Sequence, residues 1–257
     1  MTDRILSTTS PHRSPWAVRW RIVRLCLHLL AGLFIVACGF PLLSRPRRNA
    51  LKACWARRLL GIMGLQLRVQ GDIPDGGLIV ANHISWLDIF VISAARPTSF
   101  VAKAEIRKWP LLGWLAHQAD TLFIQRGSRH HAQHIAHEMT TLLKAGHSVA
   151  VFPEGTTGEG RDVMPFHAAL LQPAISAGQP VRPLVIRYRD AEGQFSVTPA
   201  YIGDMSIGES IRQTLTTRGL VAELIALPPL PITPESERRA LAKSAETAIR
   251  DVVAGAG

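Results

Sequence analysis

From residue 65 onwards, short apolar runs alternate with longer segments whose apolar residues recur at helical spacing. The short runs predict strands, and those at 149–152 and 184–186 are apolar throughout, as expected for strands covered on both faces. Strands that alternate with helices predict an α/β fold, with a layered, mostly parallel sheet flanked by helices. The predicted strands are residues 67–71, 78–81, 99–103, 122–126, 149–152 and 181–188, with 195–201 and 220–227 as further candidates, and the predicted helices are residues 86–93, 110–117, 130–145 and 166–177.

The C-terminal segment predicts one more helix. Thr233 has the residue type of a helix N-cap, Pro234 suits the first helical position, and Glu235 suits the first turn. This helix should continue to about Val253.

The N-terminal segment has a different pattern. Residues 25–43 carry no charge when His28 is neutral, and their number is close to the roughly 20 that a helix needs to cross a hydrocarbon core. Residues 50–64 mix large apolar residues with basic ones, which predicts an amphipathic helix at an anionic interface. A helix that spans the membrane and a pair of helices that enters one leaflet both fit this pattern. The predicted organisation is a disordered N-terminus at 1–15, basic membrane-anchoring helices at 16–64 and one domain at 65–257.

The distribution of charge indicates the partner of this N-terminal segment. The chain has a formal net charge of +10, and its first 60 residues contain 11 Lys and Arg but a single acid, Asp3. Such a basic terminus is typical of proteins that bind nucleic acid or an anionic membrane surface. The apolar run between the arginines argues against a nucleic-acid arm and favours the membrane. The three cysteines, Cys26, Cys38 and Cys54, lack the spacing of a metal site and predict no disulfide.

A histidine and an aspartate follow the predicted strand at 78–81. His83 stands at the carboxyl end of that strand, where α/β enzymes place working side chains, and Asp88 is five residues further on. A turn at Ser85 would bring the two side chains together, so that the carboxylate orients the imidazole as a general base. Ser85 and Asp88 also have the spacing of a capping box, in which Asp88 is only a helix cap and His83 only a polar strand end. Both interpretations stand on this segment alone.

A second polar segment follows the predicted strand at 149–152. Pro153, three glycines and two threonines form a turn whose N–H and hydroxyl groups could bind an anion or an oxyanion. Glu154, Gly155 and Thr156 stand in this turn, and the carboxylate of Glu154 could hold a hydroxyl or a cation. The alternative is a plain Pro-Gly turn without a function.

Two basic residues close further predicted strands. Arg126 precedes a glycine at the end of an apolar run, and a guanidinium there suits bidentate binding of phosphate or carboxylate. Lys103 could face an anion in the same way, or it could pair with Glu105. The alternative for both side chains is that they simply reach solvent.

The sequence lacks the motifs of a zinc enzyme, a serine hydrolase and a cysteine nucleophile. The His-rich stretch at 130–137 has helical spacing that could bind zinc, but it contains no H-E-x-x-H and predicts a solvated helix face rather than a metal site. There is no G-x-S-x-G elbow, and no cysteine has the context of a nucleophile. A catalytic His83 should therefore activate a substrate hydroxyl directly, without an acyl-enzyme.

In order and spacing, these segments resemble the glycerolipid acyltransferase family that includes the 1-acylglycerol-3-phosphate acyltransferases. The family's first motif is a His, four residues and an Asp, here His83 and Asp88. The others are Phe-Ile-x-Arg, here 123–126, then Phe-Pro-Glu-Gly-Thr, here 152–156, and an apolar strand with a proline, here 181–186. The resemblance covers about residues 65–200.

The resemblance implies an activity and a location. A fatty acyl group would pass from acyl-carrier protein or coenzyme A to the free hydroxyl of a lysolipid, first of all 1-acyl-sn-glycerol-3-phosphate in phospholipid biosynthesis. The enzyme would sit on the inner membrane of a bacterium with its active site on the cytoplasmic face. The resemblance implies no cofactor.

The resemblance also implies roles for single residues. His83 would be the general base, and Asp88 would orient it. The anionic head of the acceptor would bind Arg126, together with Lys103. Glu154, Gly155 and Thr156 would help to form the acceptor site.

The chain departs from the family pattern at two places. Phosphatidate-forming members usually have an Arg after Phe-Pro-Glu-Gly-Thr, where this chain has Thr157, and Phe166-His167 stands where Pro-Phe-Lys is common. Because two phosphate-binding cations are missing, a lyso-ornithine lipid, whose head carries no phosphate, is the alternative acceptor. A membrane lipid-binding protein with a degenerate site and a thioester hydrolase are the rival functions.

Overall fold

The computed structural model describes residues 12–109, 111–125 and 129–255. In these residues the strands are β1 (Leu65–Gln70), β2 (Gly77–Ala81), β3 (Ser99–Lys103), β4 (Leu122–Ile124), β5 (Ser148–Val151), β6 (Val181–Arg189) and β7 (Leu220–Ala226). The α-helices are α1 (Pro15–Phe34), α2 (Arg45–Met63), α3 (Asp88–Ala95), α4 (Ala104–Arg107), α5 (Leu112–Gln118), α6 (Arg129–Lys144), α7 (Gln172–Ala177), α8 (Ile207–Thr216) and α9 (Arg238–Ala254). Short turns of π-helix (Ile35–Gly39) and 3₁₀-helix (Phe40–Leu42) follow α1, and a 3₁₀ turn (Ala168–Leu171) precedes α7.

The strands form one mixed sheet in the order β1-β7-β6-β2-β5-β3-β4. Strands β2 to β6 are parallel to one another, whereas β7 pairs antiparallel with β6 and carries β1 beside it. The predicted mostly parallel sheet is therefore confirmed. Both β2 and β5 are buried along their whole length, as their continuous apolar runs predict. The carboxyl ends of β2 to β6 meet on one side of the sheet, which we call the carboxyl side.

Helices cover both faces of this sheet and make three layers. On one face, α2, α3 and α8 pack against side chains such as Ile79, Ala81 and Ile186. On the other face, α6, α7 and α9 pack against Leu78 and Val80. The alternation of side chains along β2 between these two cores is the period-two geometry of a strand.

The structure corrects two of the predicted elements. The strand at 195–201 is wrong, because Phe195 makes a single bridge to Arg189 and the chain then turns, with the N–H of Ala200 bonded to the carbonyl of Val197 at 2.9 Å. Pro199 also has no N–H to offer a ladder. The N-cap at Thr233 is wrong as well. The N–H of Thr233 bonds to the hydroxyl of Ser236 at 2.8 Å in a separate turn, and α9 begins at Arg238.

The helix α2 belongs to the core of the domain. Its apolar side is buried against α3 and the sheet through Ala53, Ala56, Leu59, Leu60, Ile62 and Met63. It ends at Gly64, whose φ of +92° suits glycine and turns the chain directly into β1. The apolar side of the predicted amphipathic helix at 50–64 thus faces protein rather than an interface. The boundary expected at residue 64 does not separate two cores.

The helix α1 folds back along α2 as a hairpin. The rings of His28 and Trp55 stack at 4.5 Å, and Gly32 lies so close to Trp55 that a Cβ there would meet its Nε1 at 2.6 Å. At the open end of the hairpin, the N–H of Arg13 bonds to the carbonyl of Thr216, and its guanidinium bonds to the carbonyls of Leu215 and Thr217. Of the N-terminal residues expected to be disordered, 12–15 are therefore attached to the domain, and residues 1–11 lie outside the described part.

The outer side of α1 is apolar and exposed. The stretch Pro15–Leu42 is 28 residues long and contains an 18-residue window with a mean hydropathy of 2.2, so it is long and apolar enough to cross a membrane. Its large exposed side chains are Trp16, Trp20, Ile22, Val23, Leu27, Leu30, Phe34 and Leu42. Such a surface is typical of contact with an apolar environment.

The assignment of α2 to the core predicts a difference between two leucines. Leu59 is 2% exposed and Leu42 is 85% exposed. Leu59→Ala should lower the free energy of unfolding by about 2–5 kcal/mol, because it leaves a cavity in the core, whereas Leu42→Ala should change it by less than about 0.5 kcal/mol. Denaturant unfolding of the detergent-solubilised protein measures both. Equal losses in the two variants would contradict the assignment.

Candidate active site

The site begins where β2 leaves the sheet. The side chain of Asn82 is buried and replaces a strand peptide: its amide donates to the carbonyl of Ile186 at 2.9 Å, and its carbonyl accepts from the N–H of Ile186 at 2.8 Å. These two bonds hold the end of β2 to β6, and His83 follows on the carboxyl side of the sheet. In α/β proteins, functional residues commonly lie at this carboxyl side of the sheet.

His83 and Asp88 are in direct contact. The Nδ1 atom of His83 lies 2.9 Å from Oδ2 of Asp88, which also accepts the N–H groups of Ile84 at 2.7 Å and Ser85 at 2.9 Å. The turn at Ser85 brings the two side chains together, so Asp88 both caps the turn and contacts the imidazole. Because an ionised carboxylate can only accept, Nδ1 carries the proton, and the lone pair is on Nε2.

Tyr188 completes the surroundings of Asp88. Its hydroxyl donates to Oδ1 of Asp88 at 2.6 Å, and both residues have no exposed surface. Burial, the negative charge of Asp88 and this hydrogen bond raise the pKa of Tyr188 well above its ordinary value. The tyrosine therefore stays protonated and keeps donating to the carboxylate throughout the pH range of a working enzyme.

The ring of His83 lies on the ring of Phe152, with 3.9 Å between centroids and 10° between planes. The two residues leave the sheet side by side because β2 and β5 are paired, with Val80 opposite Val151. Stacking fixes the plane of the imidazole and the bond to Asp88 fixes its rotation. The His83 side chain keeps 18% of its surface exposed, and among the described residues Nε2 has no hydrogen-bond partner. A substrate hydroxyl can therefore reach Nε2.

Glu154 lies beside His83 but holds the backbone. Its Oε1 accepts the N–H of His83 at 2.7 Å, and its Oε2 accepts the N–H of Met164 at 2.8 Å. Burial raises the pKa of Glu154, and these two hydrogen bonds oppose the rise. In the same turn, Gly155 has a φ of +71° and Thr156 is exposed.

The loop after Glu154 crosses over His83. The N–H of Gly158 bonds to the carbonyl of His83 at 2.8 Å, and the hydroxyl of Thr157 bonds to the carbonyl of Tyr201. Gly160 has a φ of +84°, which favours glycine, and a Cβ there would meet Ile84 Cδ1 at 2.6 Å, so a larger residue would have to displace Ile84. The residue at the family's cation position, Thr157, thus makes a structural contact.

The two predicted basic residues are farther from His83. Lys103 ends β3, on the carboxyl side of the sheet and two strands from β2, and its side chain is exposed. Arg126 lies outside the described residues, and β4 ends at Ile124. The structure thus brings together His83, Asp88 and Glu154, with Gly155 and Thr156 in the adjoining turn, and places Lys103 along the same side of the sheet.

The His-rich helix α6 contains no metal site in the described part of the chain. His134 pairs with Glu138 at 3.1 Å, and its ring packs edge-on against that of His131 at 6.5 Å. Among the described residues, no group of three or more His, Cys, Asp or Glu side chains could hold a metal ion.

Comparison with known proteins places this chain in a family. A family model described as Acyltransferase matches residues 66–187. The chain is 36% identical over 206 residues to a lyso-ornithine lipid O-acyltransferase of Pseudomonas aeruginosa, covering 80% of this chain and 79% of that protein. The chain belongs to the acyltransferase family. It is also 37% identical over 193 residues to a 1-acyl-sn-glycerol-3-phosphate acyltransferase of Neisseria gonorrhoeae, covering 75% of each protein.

A solved structure has the same fold. The crystal structure of the 1-acyl-sn-glycerophosphate (LPA) acyltransferase PlsC from Thermotoga maritima matches with a TM-score of 0.63, covering 91% of this acyltransferase and 96% of that chain. The sequence identity between the two is 23%, so this likeness concerns the fold.

Three residues of the candidate site do not stand out in the sequence as site residues. Tyr188 stands in an apolar strand 100 residues after Asp88, where nothing in the local pattern marks its hydroxyl. Phe152 reads as the last core residue of a strand. Asn82 was visible as a polar residue after a buried strand, and a buried amide at that position indicates a bond across to a neighbouring strand.

Glu246 of α9 holds the far end of the loop that crosses His83. It is 6% exposed, and its carboxylate accepts from the N–H of Phe166 at 2.9 Å, Lys243 at 2.9 Å and Arg250 at 2.8 Å. Burial alone would raise the pKa of Glu246, but these hydrogen bonds lower it from the ordinary 4.5 to about 2. The ionised form therefore stabilises the fold.

The bond from Tyr188 to Asp88 predicts a difference between the chain's two tyrosines. Tyr188→Phe should lower kcat by about tenfold or more, because a buried carboxylate loses one donor and orients His83 less well. Among the described residues, the hydrogen bonds of Tyr201 to the site are made by its backbone, so Tyr201→Phe should retain kcat. Steady-state acyl transfer and thermal unfolding measure the two effects. An unchanged kcat in Tyr188→Phe would contradict this role.

The lowered pKa of Glu246 predicts how Glu246→Gln depends on pH. Because the folded-state pKa lies below the unfolded one, the stabilisation by Glu246 is fully present above about pH 4.5 and is lost as the pH falls towards about 2. The variant should therefore have a lower Tm than the wild type at pH 7, and the difference should shrink as the pH is lowered from 5 to 3. A difference that does not depend on pH would contradict the assignment.

Proposed function

We propose that this acyltransferase moves a fatty acyl group from acyl-carrier protein or coenzyme A to the free hydroxyl of a lysolipid. The observation that carries the proposal is the His83–Asp88 pair. Nδ1 is fixed on a buried carboxylate and the edge at Nε2 is open. This arrangement suits a general base for an alcohol.

The proposed reaction is a direct transfer. Nε2 of His83 takes the proton of the lysolipid hydroxyl while the oxygen attacks the carbonyl carbon of the thioester. The carbon–sulfur bond then breaks, the sulfur leaves as a thiolate, and it receives the proton from Nε2. Asp88 stays ionised, and its charge balances the imidazolium that forms in between.

The acceptor site is proposed on the carboxyl side of the sheet. Lys103 ends β3, and Gly155 and Thr156 follow β5, the neighbour of β2, so these three lie at the carboxyl ends of parallel strands. Arg126 comes two residues after β4 in the sequence. The two cations would attract the head of the acceptor. Glu154 supports the site indirectly, since both its oxygens already hold the backbone.

The first acceptor we propose is 1-acyl-sn-glycerol-3-phosphate, which would give phosphatidic acid. The second is a lyso-ornithine lipid, favoured by one observation: Thr157 replaces the usual cation, and its hydroxyl is bonded to Tyr201. Relatives that carry each activity in their names match over three quarters or more of the chain.

Attachment to one leaflet of the bacterial inner membrane, with the active site on the cytoplasmic face, is proposed from the α1–α2 hairpin. The start of α1 lies against the domain, since Arg13 bonds to residues 215–217, and the middle of α1 packs on α2, where His28 stacks on Trp55. The exposed apolar side of α1 would enter the lipid, and the surrounding basic residues would face anionic head groups. A full crossing would pull one end of α1 away from these contacts.

The test is an acceptor panel with a base variant. Purified protein in detergent receives lysophosphatidate or lyso-ornithine lipid with a labelled acyl-carrier thioester, and the products are separated. Wild-type protein should form a diacylated lipid, and His83→Ala should lower the rate by at least about a hundredfold, the contribution of a general base. His134→Ala, an exposed histidine of α6, is the matched control and should keep full activity.

Two outcomes would contradict the proposal. Free fatty acid as the main product would indicate a thioester hydrolase. Binding of lysolipid without turnover would indicate a lipid-binding protein.

A further inference from the structure

The loop after Thr157 reaches a second part of the carboxyl side of the sheet. It passes His83 at Gly158 and Ile84 at Gly160, and it then meets the segment that follows β6. At that point Arg161 lies over the ring of Phe195, with 4.6 Å from its guanidinium carbon to the ring centroid. Since β6 is the neighbour of β2 on the side away from β5 and β3, Arg161 flanks His83 opposite Lys103.

The guanidinium of Arg161 forms one exposed ion pair and keeps its terminal N–H groups open. Its side chain is 66% exposed, and its Nε lies 3.5 Å from a carboxylate oxygen of Glu159, an ion pair that is weak because both side chains are exposed. The phenyl ring of Phe195 covers one side of the guanidinium through a cation–π contact. Among the described residues, its terminal N–H groups have no hydrogen-bond acceptor.

The second arginine of this region has its charge matched. Arg250 bonds to Glu246 at 2.8 Å and to Asp162 at 3.1 Å, and it forms one wall of a cleft of about 420 Å³ with the 158–165 loop. The cleft therefore offers one cation with open donors, Arg161. The backbone of Arg161 is near His83 in space, because Gly158 is bonded to the carbonyl of His83 and three further residues extend at most about 11 Å.

We infer that Arg161, supported by Phe195, binds the anionic group of the acceptor's head. It supplies, from the β6 side of His83, the cation that is missing at Thr157. The ligand is the phosphate or carboxylate of the lysolipid, because a planar guanidinium with open donors suits either oxyanion. This inference rests on the proposed function, and it adds the site that binds the head group.

Glu159 makes the site sensitive to the kind of anion. Its carboxylate stands beside the guanidinium and is 55% exposed. It would repel a phosphate dianion, whereas a head that carries both a carboxylate and an ammonium group could engage Arg161 and Glu159 together. The pair thus contributes to the choice between the two proposed acceptors.

The test separates head-group binding from turnover. In a His83→Ala background, which binds lysolipid without transfer, the Kd of lysophosphatidate and of lyso-ornithine lipid is measured in detergent micelles by calorimetry. Arg161→Gln should raise the Kd of the acceptor about tenfold, Arg161→Lys should raise it less, and Arg239→Gln, an exposed arginine at the start of α9, should leave it unchanged. Glu159→Gln should lower the Kd of lysophosphatidate about two- to threefold, and it should do so only when Arg161 is present.

The same variants with His83 intact show whether Arg161 acts on the acceptor or on the donor. Arg161→Gln should raise KM for the acceptor about tenfold while KM for the donor and kcat stay within about twofold. A rise for lysophosphatidate alone identifies phosphate as the ligand, and a rise for lyso-ornithine lipid alone identifies the carboxylate.

Unchanged Kd values for both lipids, or a rise in KM for the donor instead of the acceptor, would overturn the inference. In either case the proposed function stands as long as His83-dependent acyl transfer continues. If the wild-type protein binds lysolipid in an Arg161-dependent way but transfers no acyl group, only the proposed function is overturned.

Discussion

The buried carboxylate of Asp88 is the group on which the rest of the site depends. A carboxylate without solvent exposure is strongly destabilising unless donors surround it. Here the N–H groups of Ile84 and Ser85, the imidazole of His83 and the hydroxyl of Tyr188 serve that purpose. The carboxylate of Asp88 thereby fixes three elements relative to one another: the end of β2, the start of α3 and the end of β6. The requirement for folding and the requirement for an oriented base are met by the same bonds.

Glu154 fixes His83 from the other direction. Asp88 binds the ring of His83, and Glu154 binds its backbone N–H while its second oxygen holds Met164. Two buried carboxylates, one from the β2 turn and one from the β5 turn, thus determine where the imidazole stands. The loop that crosses His83 is fixed at its start by Glu154 and at its end by Glu246, and it displays Arg161 between them.

Much of the fold follows from local pattern, and the site follows only in part. The strands at β2, β5 and β6 could be predicted because uninterrupted apolar runs have few alternatives in an α/β sheet. The contact of His83 with Asp88 could be predicted as one of two alternatives, because both residues lie within seven residues of one strand end. Tyr188 could not, since its bond to Asp88 depends on the pairing of β6 with β2, which no local pattern states. The role of α2 could not either, because an amphipathic helix looks the same whether its apolar side meets lipid or protein.

The shared core of α2 and the sheet limits how the anchor can be exchanged. One side of α2 contributes Leu59 and Met63 to the domain, and another side offers Trp55 to α1. A chimera joined at residue 64 would therefore replace the α2 side chains that pack against the sheet, and the sheet would lose this part of its core. A junction in the turn before Arg45 would keep α2 with the sheet, and the new first helix would have to match the contact of Leu25 with this core. In this protein the exchangeable module ends before the second helix, inside what looks like a single anchoring segment.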